Sequence, residues 1–212
     1  MRTHGHAILN LALLDAAGAP SLTPVFWGAI APDLSITVFY LWVKLVERLP
    51  EVRIWGEAYN RPGWQVLVAT GHSLPLAFLG MAIAHGQGWL ALQWFFLSMV
   101  LHDLADVPIH HHDAHRHLFP ISNWRFISPL SYWDLRHHAP AVTLVESLVV
   151  AIATLALWPA ISTLWGHGLL LLCNAIYAWG YWRGYAPWRG TRRSHIRCAA
   201  AIESYTQATA DS

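Results

Sequence analysis

The amino-acid sequence predicts an all-α protein, a polytopic membrane bundle of about five to six hydrophobic helices. Three observations carry this. First, 55% of the 212 residues are hydrophobic and only 12% are charged, where a soluble domain carries about 25% charged residues. Second, long apolar stretches recur along the chain. Third, there are thirteen tryptophans, a residue that collects where hydrocarbon meets headgroups.

The apolar stretches lie at 5–18, 23–46, 64–85, 88–109, 140–165 and 168–183. The second to fifth reach the roughly 20 residues that a helix needs to cross about 30 Å of hydrocarbon. The first and last are short and read as half-spans or tilted ends. The start, Met1-Arg2-Thr3-His4-Gly5-His6, leads into an apolar stretch ending at Asp15. It has no long leader core and no small-residue cleavage site, so the first segment is expected to stay in the mature protein. The stretch 110–139 is polar and contains proline, so it must lie outside hydrocarbon or be covered by protein. Residues 1–185 therefore read as one membrane-embedded helical domain, and 186–212 as a basic, polar tail.

Positive charge sets the expected orientation. Lys44, Arg48, Arg53 and Arg61 flank the connection between the second and third stretches. Arg116, Arg125 and Arg136 lie in the long connection, and Arg183, Arg189, Arg192, Arg193 and Arg197 follow the last stretch. The connections at 15–23, 86–88 and 165–168 carry neither Lys nor Arg. This alternation predicts both termini and the His-rich loop on the cytoplasmic side of an inner (plasma) membrane. The net charge of +1, without a basic run, points to no nucleic acid.

Fourteen histidines need a separate explanation. His6 opens the first stretch, Asp33 follows Pro32 in the second, and His72 lies in the third. His102 and Asp106 lie near the end of the fourth, and Glu146 lies early in the fifth. An ionisable group in hydrocarbon costs on the order of 3 kcal/mol, so such groups pair or face a cavity. Five segments each bring an imidazole or a carboxylate toward the same side, which predicts a metal site between helices. His102 and Asp106, four apart, share one helical face and can hold one cation. Asp134 and His138 repeat that spacing. Between the pairs, His110 to His117 places five histidines in eight positions. Imidazole with carboxylate suits zinc first, then manganese or iron, rather than magnesium or calcium. His85, His167 and His195 read as packing residues.

The order Gly5-His6-Ala7, Ala31-Pro32-Asp33, Gly71-His72-Ser73 and His102-x3-Asp106 resembles the YdjM-like inner-membrane family of metal-dependent hydrolases. That family is grouped with zinc-dependent phospholipase C and the single-strand nucleases, which are all-helical and bind zinc. Their His-x3-Asp-x5-His run is similar to His102, Asp106 and His112. The resemblance implies metal ligation by His6, Asp33, His72, His102, Asp106 and His112. Asp134, His138 and Glu146 are added as ligands from chemistry alone, in place of a later pair that the sequence does not match. The relatives' N-terminal amino ligand has no evident counterpart in Met1.

The function so expected is hydrolysis of a phosphoester, lipid-linked or small, with membrane lipid as partner. Asp33 and Asp106 would be its catalytic carboxylates, and Arg136, Arg116 or Arg125 would grip phosphate. Two other readings stay open: a metal-handling transporter or channel, and a scaffold whose helices are stapled by metal.

Overall fold

The computed structural model describes residues 1–185; the basic tail at 186–212, with His195, lies outside the described residues. Eight α-helices and short connecting turns make up the described chain, and no strand occurs among those residues. The helices are α1 (Thr3–Ala16), α2 (Leu22–Leu41), α3 (Glu51–Arg53), α4 (Pro62–Gly71), α5 (Leu74–Gly86), α6 (Leu90–Asp106), α7 (Ala139–Leu157) and α8 (Leu164–Tyr185). The all-α expectation holds.

The expected number of spans does not. Among the described residues three helical stretches are long and apolar enough to cross a membrane: Leu22–Val46, Leu90–Ile109 and Ala139–Ala160. A fourth is possible if α4 and α5, bent by 45° at their break, count as one. α1 has 14 residues, about 21 Å at 1.5 Å per residue, and is too short to span. α8 is 22 residues long, but its Gly, His, Asn, Trp and Tyr content keeps it outside the apolar set. The apolar helices still present a lipid-compatible exterior. Val38, Leu41, Leu79, Ile83, Val145, Leu148, Ile152 and Leu155 are all exposed, an outward aliphatic surface compatible with lipid.

Helix contacts use small residues, as bundles in lipid require. Gly28 of α2 lies against α6 so closely that a Cβ there would collide with the Phe95 carbonyl oxygen and stand 2.9 Å from the Ser98 Cβ. Ser98 donates to the Val25 carbonyl at 2.7 Å, and Asn10 donates to the Ser98 carbonyl at 2.7 Å, tying α1, α2 and α6 together. Gly28→Ala is expected to push α2 from α6, at a cost of about 2 kcal/mol from overpacking. Thermal unfolding of the purified variant in detergent checks this.

The break between α4 and α5 follows from its sequence. Pro75 in the first turn of α5 supplies no backbone N–H, and Ser73, in extended backbone, caps the new helix by accepting from the Leu76 N–H at 3.2 Å. The gap receives the long loop: the Leu74 N–H donates to the His117 carbonyl at 3.0 Å, and the Ser73 hydroxyl donates to the Phe119 carbonyl. One polar break thus anchors the connection expected to lie outside hydrocarbon.

Beyond the level of α1, α2 continues into a π-helical turn at Trp42–Val46, and the chain folds back through α3 and a second π turn at Ile54–Ala58. Phe39, Val43, Ile54 and Ala58 pack there with Trp55, Tyr59 and Trp64 into a satellite core. This aromatic cap sits beside the loop and roofs the site.

Candidate metal centre

The helices deliver their ionisable groups to one level of the bundle. α1 begins there, bringing His6 in its first turns. α2 passes it at Asp33, the helix break exposes it to His72, and α6 ends there with His102 and Asp106. His6, His72, His102 and Asp106 are buried, and Asp33 is nearly so. The first residues of the loop, His110 and His115, close the far side.

Asp106 is the hub. His6 Nε2 lies 2.9 Å from its Oδ1, His102 Nε2 3.2 Å from its Oδ2, and His110 Nε2 3.3 Å from its Oδ1. Asp33 Oδ1 lies 3.6 Å from His72 Nε2 and 3.8 Å from His102 Nε2, while Thr3 donates to its Oδ2 at 2.5 Å. The His6 and His102 rings stack at 3.6 Å, and those of His72 and His115 at 4.0 Å. Three triads have donor atoms within 4.8 Å of one another: His6, Asp33 and His102; His72, His102 and Asp106; Asp106, His110 and His115. They share His102 and Asp106, so they form one continuous donor set.

Second contacts fix how the rings present themselves. His72 Nδ1 is 3.0 Å from the Val68 carbonyl and His102 Nδ1 is 2.7 Å from that of Ala29. A carbonyl only accepts, so each Nδ1 carries the proton, the arrangement that orients histidines in metal sites. Both Nε2 atoms are buried and without a hydrogen-bond partner. Left neutral, an imidazole so placed turns a lone pair toward a carboxylate, which is unfavourable unless a cation lies between them. Buried His/Asp clusters of this kind can hold a metal ion.

The amino nitrogen of Met1 stands 2.6 Å from Asp106 Oδ1 and 3.5 Å from His110 Nε2. In the loop, burial opposes a charge on His110, yet Asp113 and Asp106 outweigh it and raise its imidazole to about 9. Burial, reinforced by His72 and His110, holds His115 well below the ordinary imidazole range. Burial and His72 likewise bring His117 down to about 4.

A cavity of about 270 Å³ adjoins the cluster, lined by Asp33, His110, His115, Arg125, Trp55 and Tyr59 among others. Its wall is thus partly metal donors, partly aromatic, with one guanidinium. Arg125 donates to the Gln65 side chain at 2.7 Å, which holds it in place.

The structure brings together five of the nine ligands expected from sequence: His6, Asp33, His72, His102 and Asp106. The other four go elsewhere. α6 ends at Asp106 and a 3₁₀ turn at Val107–Ile109 redirects the chain. That turn brings His110, four after Asp106, onto the hub, and His112 groups with His111 and His137 instead. Asp134 caps the turn Leu135–His137 and is held by Arg136, whose guanidinium lies 2.8 Å from its Oδ2. Arg136 is therefore committed to Asp134 and does not line the cavity; Arg125 does. His138 adopts a left-handed backbone with φ of 62° at the start of α7, lining a separate apolar groove. Glu146 accepts from the Arg2 N–H at 2.8 Å and from the Tyr177 hydroxyl, fastening the chain start to α7 and α8. Glu146→Gln is expected to lower stability by about 1 kcal/mol and leave metal content unchanged, as elemental analysis would report.

Sequence reasoning did not single out His110 and His115, which the structure groups with Asp106. It also missed Asp103, fully buried with neither carboxylate oxygen hydrogen-bonded. His167 is the packing residue expected, stacked on Trp158 at 4.0 Å and bonded to that residue's carbonyl.

The fold and site define an all-helical protein with apolar, span-length helices and a buried histidine–aspartate donor cluster beneath an aromatic cap. Comparison with protein-family models, with curated proteins and with solved structures found no match to this chain.

Proposed function

We propose that this protein is a membrane-embedded, metal-dependent hydrolase of phosphoesters, with zinc as its first-choice metal and manganese or iron as alternatives. The single observation that carries the reading is the pair of bare Nε2 atoms on His72 and His102, aimed at Asp33 and Asp106 beside an accessible cavity. A purely structural site is closed by its protein ligands, whereas a catalytic one keeps a position open. Here Asp33, His110 and His115 line both the cluster and the cavity. The resemblance to YdjM-like hydrolases is supported by the meeting of Gly5-His6, Asp33, His72 and His102-x3-Asp106 in one place.

A cation held by these residues would polarise a phosphoryl oxygen and acidify water. The remaining work falls to the chain. Asp106, shared by three imidazoles, fixes their spacing. Asp33, at the cavity wall, is placed to accept a proton. Arg125 offers a fork of N–H donors for phosphate, and Trp55 and Tyr59 give an apolar wall for the rest of the substrate. The basic residues from Lys44 to Arg61, and those of the loop, lie on the cluster's side of the bundle. That supports a site opening to the cytoplasmic face of the inner membrane, within reach of lipid-linked substrates.

The test is hydrolysis of phosphomonoester and phosphodiester lipids by the purified protein in detergent, with zinc, manganese or iron added. Turnover that needs metal and falls at least 100-fold in Arg125→Ala supports the reading, since Arg125 is no ligand. Metal-replete, folded protein inert toward every phosphoester would overturn it. The complete burial of His6, His72 and His102 favours one second reading, a metal staple that only holds helices together.

A further inference from the structure

Outside the buried cluster, one group of side chains has metal-ligand chemistry that the function above leaves unused. His111, His112 and His137 place one ring nitrogen each within 4.8 Å of the others. They are half-buried, at the loop surface rather than in the bundle. The His111 and His137 rings stack at 3.6 Å, and His112 meets His111 edge-on at 4.3 Å. Twenty-six positions separate His111 from His137, so their meeting is made by the fold, not by local sequence.

Two features prepare these rings. His111 Nδ1 lies 2.5 Å from the Ser128 carbonyl, which fixes the proton on that nitrogen and leaves Nε2 for another partner. His137 is carried on the turn Leu135–His137, whose start is capped by Asp134; Asp134 is itself gripped by Arg136. The Ser131 N–H donates to the His137 carbonyl at 2.8 Å, closing the turn against the loop. Asp134 and Arg136, expected from the sequence at the buried site, instead support this second group. His112 also lines the cavity that reaches Asp33, His110 and His115, so the group stands at the approach to the buried cluster.

We propose that His111, His112 and His137 form a second cation site, distinct from the buried cluster, that takes a borderline transition-metal ion such as zinc or copper(II) on three imidazoles. The donor set decides the ion. Three neutral nitrogens without a carboxylate suit zinc, copper or nickel and discriminate against magnesium, calcium and manganese. No carboxylate is among the three donors, so this site binds more weakly than the buried one and exchanges faster. With His112 on the cavity wall, the group is suited to passing metal inward.

The experiment measures zinc stoichiometry and copper(II) electron paramagnetic resonance on full-length wild type, His137→Gln, His112→Gln and Asp106→Asn, each checked for folding by circular dichroism. At saturating zinc, both loop variants are expected to bind one equivalent fewer than wild type. They lose one of two copper signals split by several nitrogens, the one that Asp106→Asn keeps. Equal stoichiometry and an unchanged copper signal in both folded loop variants would overturn the proposal, whatever Asp106→Asn does. Loss of one equivalent in the loop variants with none in Asp106→Asn would uphold this site and instead remove the buried metal on which the hydrolase reading rests.

Discussion

Asp106→Asn is expected to abolish tight metal binding at the buried cluster and reduce any hydrolytic turnover by a factor of about 10²–10³, the scale of losing a central electrostatic contact in a dry site. The substitution is nearly isosteric, so its effect reports charge rather than packing. Asp106 faces His6, His102, His110 and the Met1 amino group within 3.3 Å. Removing its charge leaves Asp33 as the one carboxylate among the triads. His102→Ala should behave alike for metal, but also opens a void between α2 and α6 where its Nδ1 met the Ala29 carbonyl, so it loses stability as well. Elemental analysis with thermal unfolding separates the two. Both variants folded, with full metal and undiminished turnover, is the result that would contradict the assignment.

The second large effect is on pH. In the metal-free protein His110 titrates near 9, raised above its ordinary 6.5 by Asp113 and Asp106 against the opposing effect of burial. A folded value above the unfolded one means that the charged imidazole stabilises the metal-free fold fully below about 6.5, and that this stabilisation fades as pH rises through about 9. Metal binding works in the opposite direction. A ligand histidine must be neutral, so binding to His110 expels its proton. Affinity is therefore expected to climb about tenfold per pH unit between 6.5 and 9 for each proton displaced. Chelator competition at pH 6.5, 7.5 and 8.5 measures the slope. His110→Gln should flatten it by one proton. A slope of zero in the wild type would contradict His110 as a ligand.

Much of the donor set was legible because an ionisable group in an apolar stretch has few ways to exist. His6, Asp33, His72, His102 and Asp106 each interrupt otherwise apolar sequence, and each proved to face the same point. The loop gave no such constraint. Five histidines in eight positions satisfy many spacings at once, and the choice between His110 and His112 depended on the proline-containing turn that begins at Val107, directly after α6 ends at Asp106. Asp134 and His138 had the spacing of a helical pair but sit on a 3₁₀ turn and a left-handed residue, where four positions no longer share a face. Helix count failed for a related reason. Apolar content across 64–85 reads as one continuous stretch, while Ser73 and Pro75 divide it. The exposure of that break to the loop is set by tertiary packing.

The central claim is that imidazoles and carboxylates from α1, α2, the α4–α5 break, α6 and the loop surround a common cation. X-ray absorption at the metal edge of the purified protein, reloaded with zinc, tests it most directly, with His72→Ala in parallel. The account predicts a mixed nitrogen and oxygen shell at about 2.0–2.1 Å for the tightly held ion, altered or absent in His72→Ala. A folded wild-type protein whose spectrum shows only hydrated, freely exchanging zinc would contradict it.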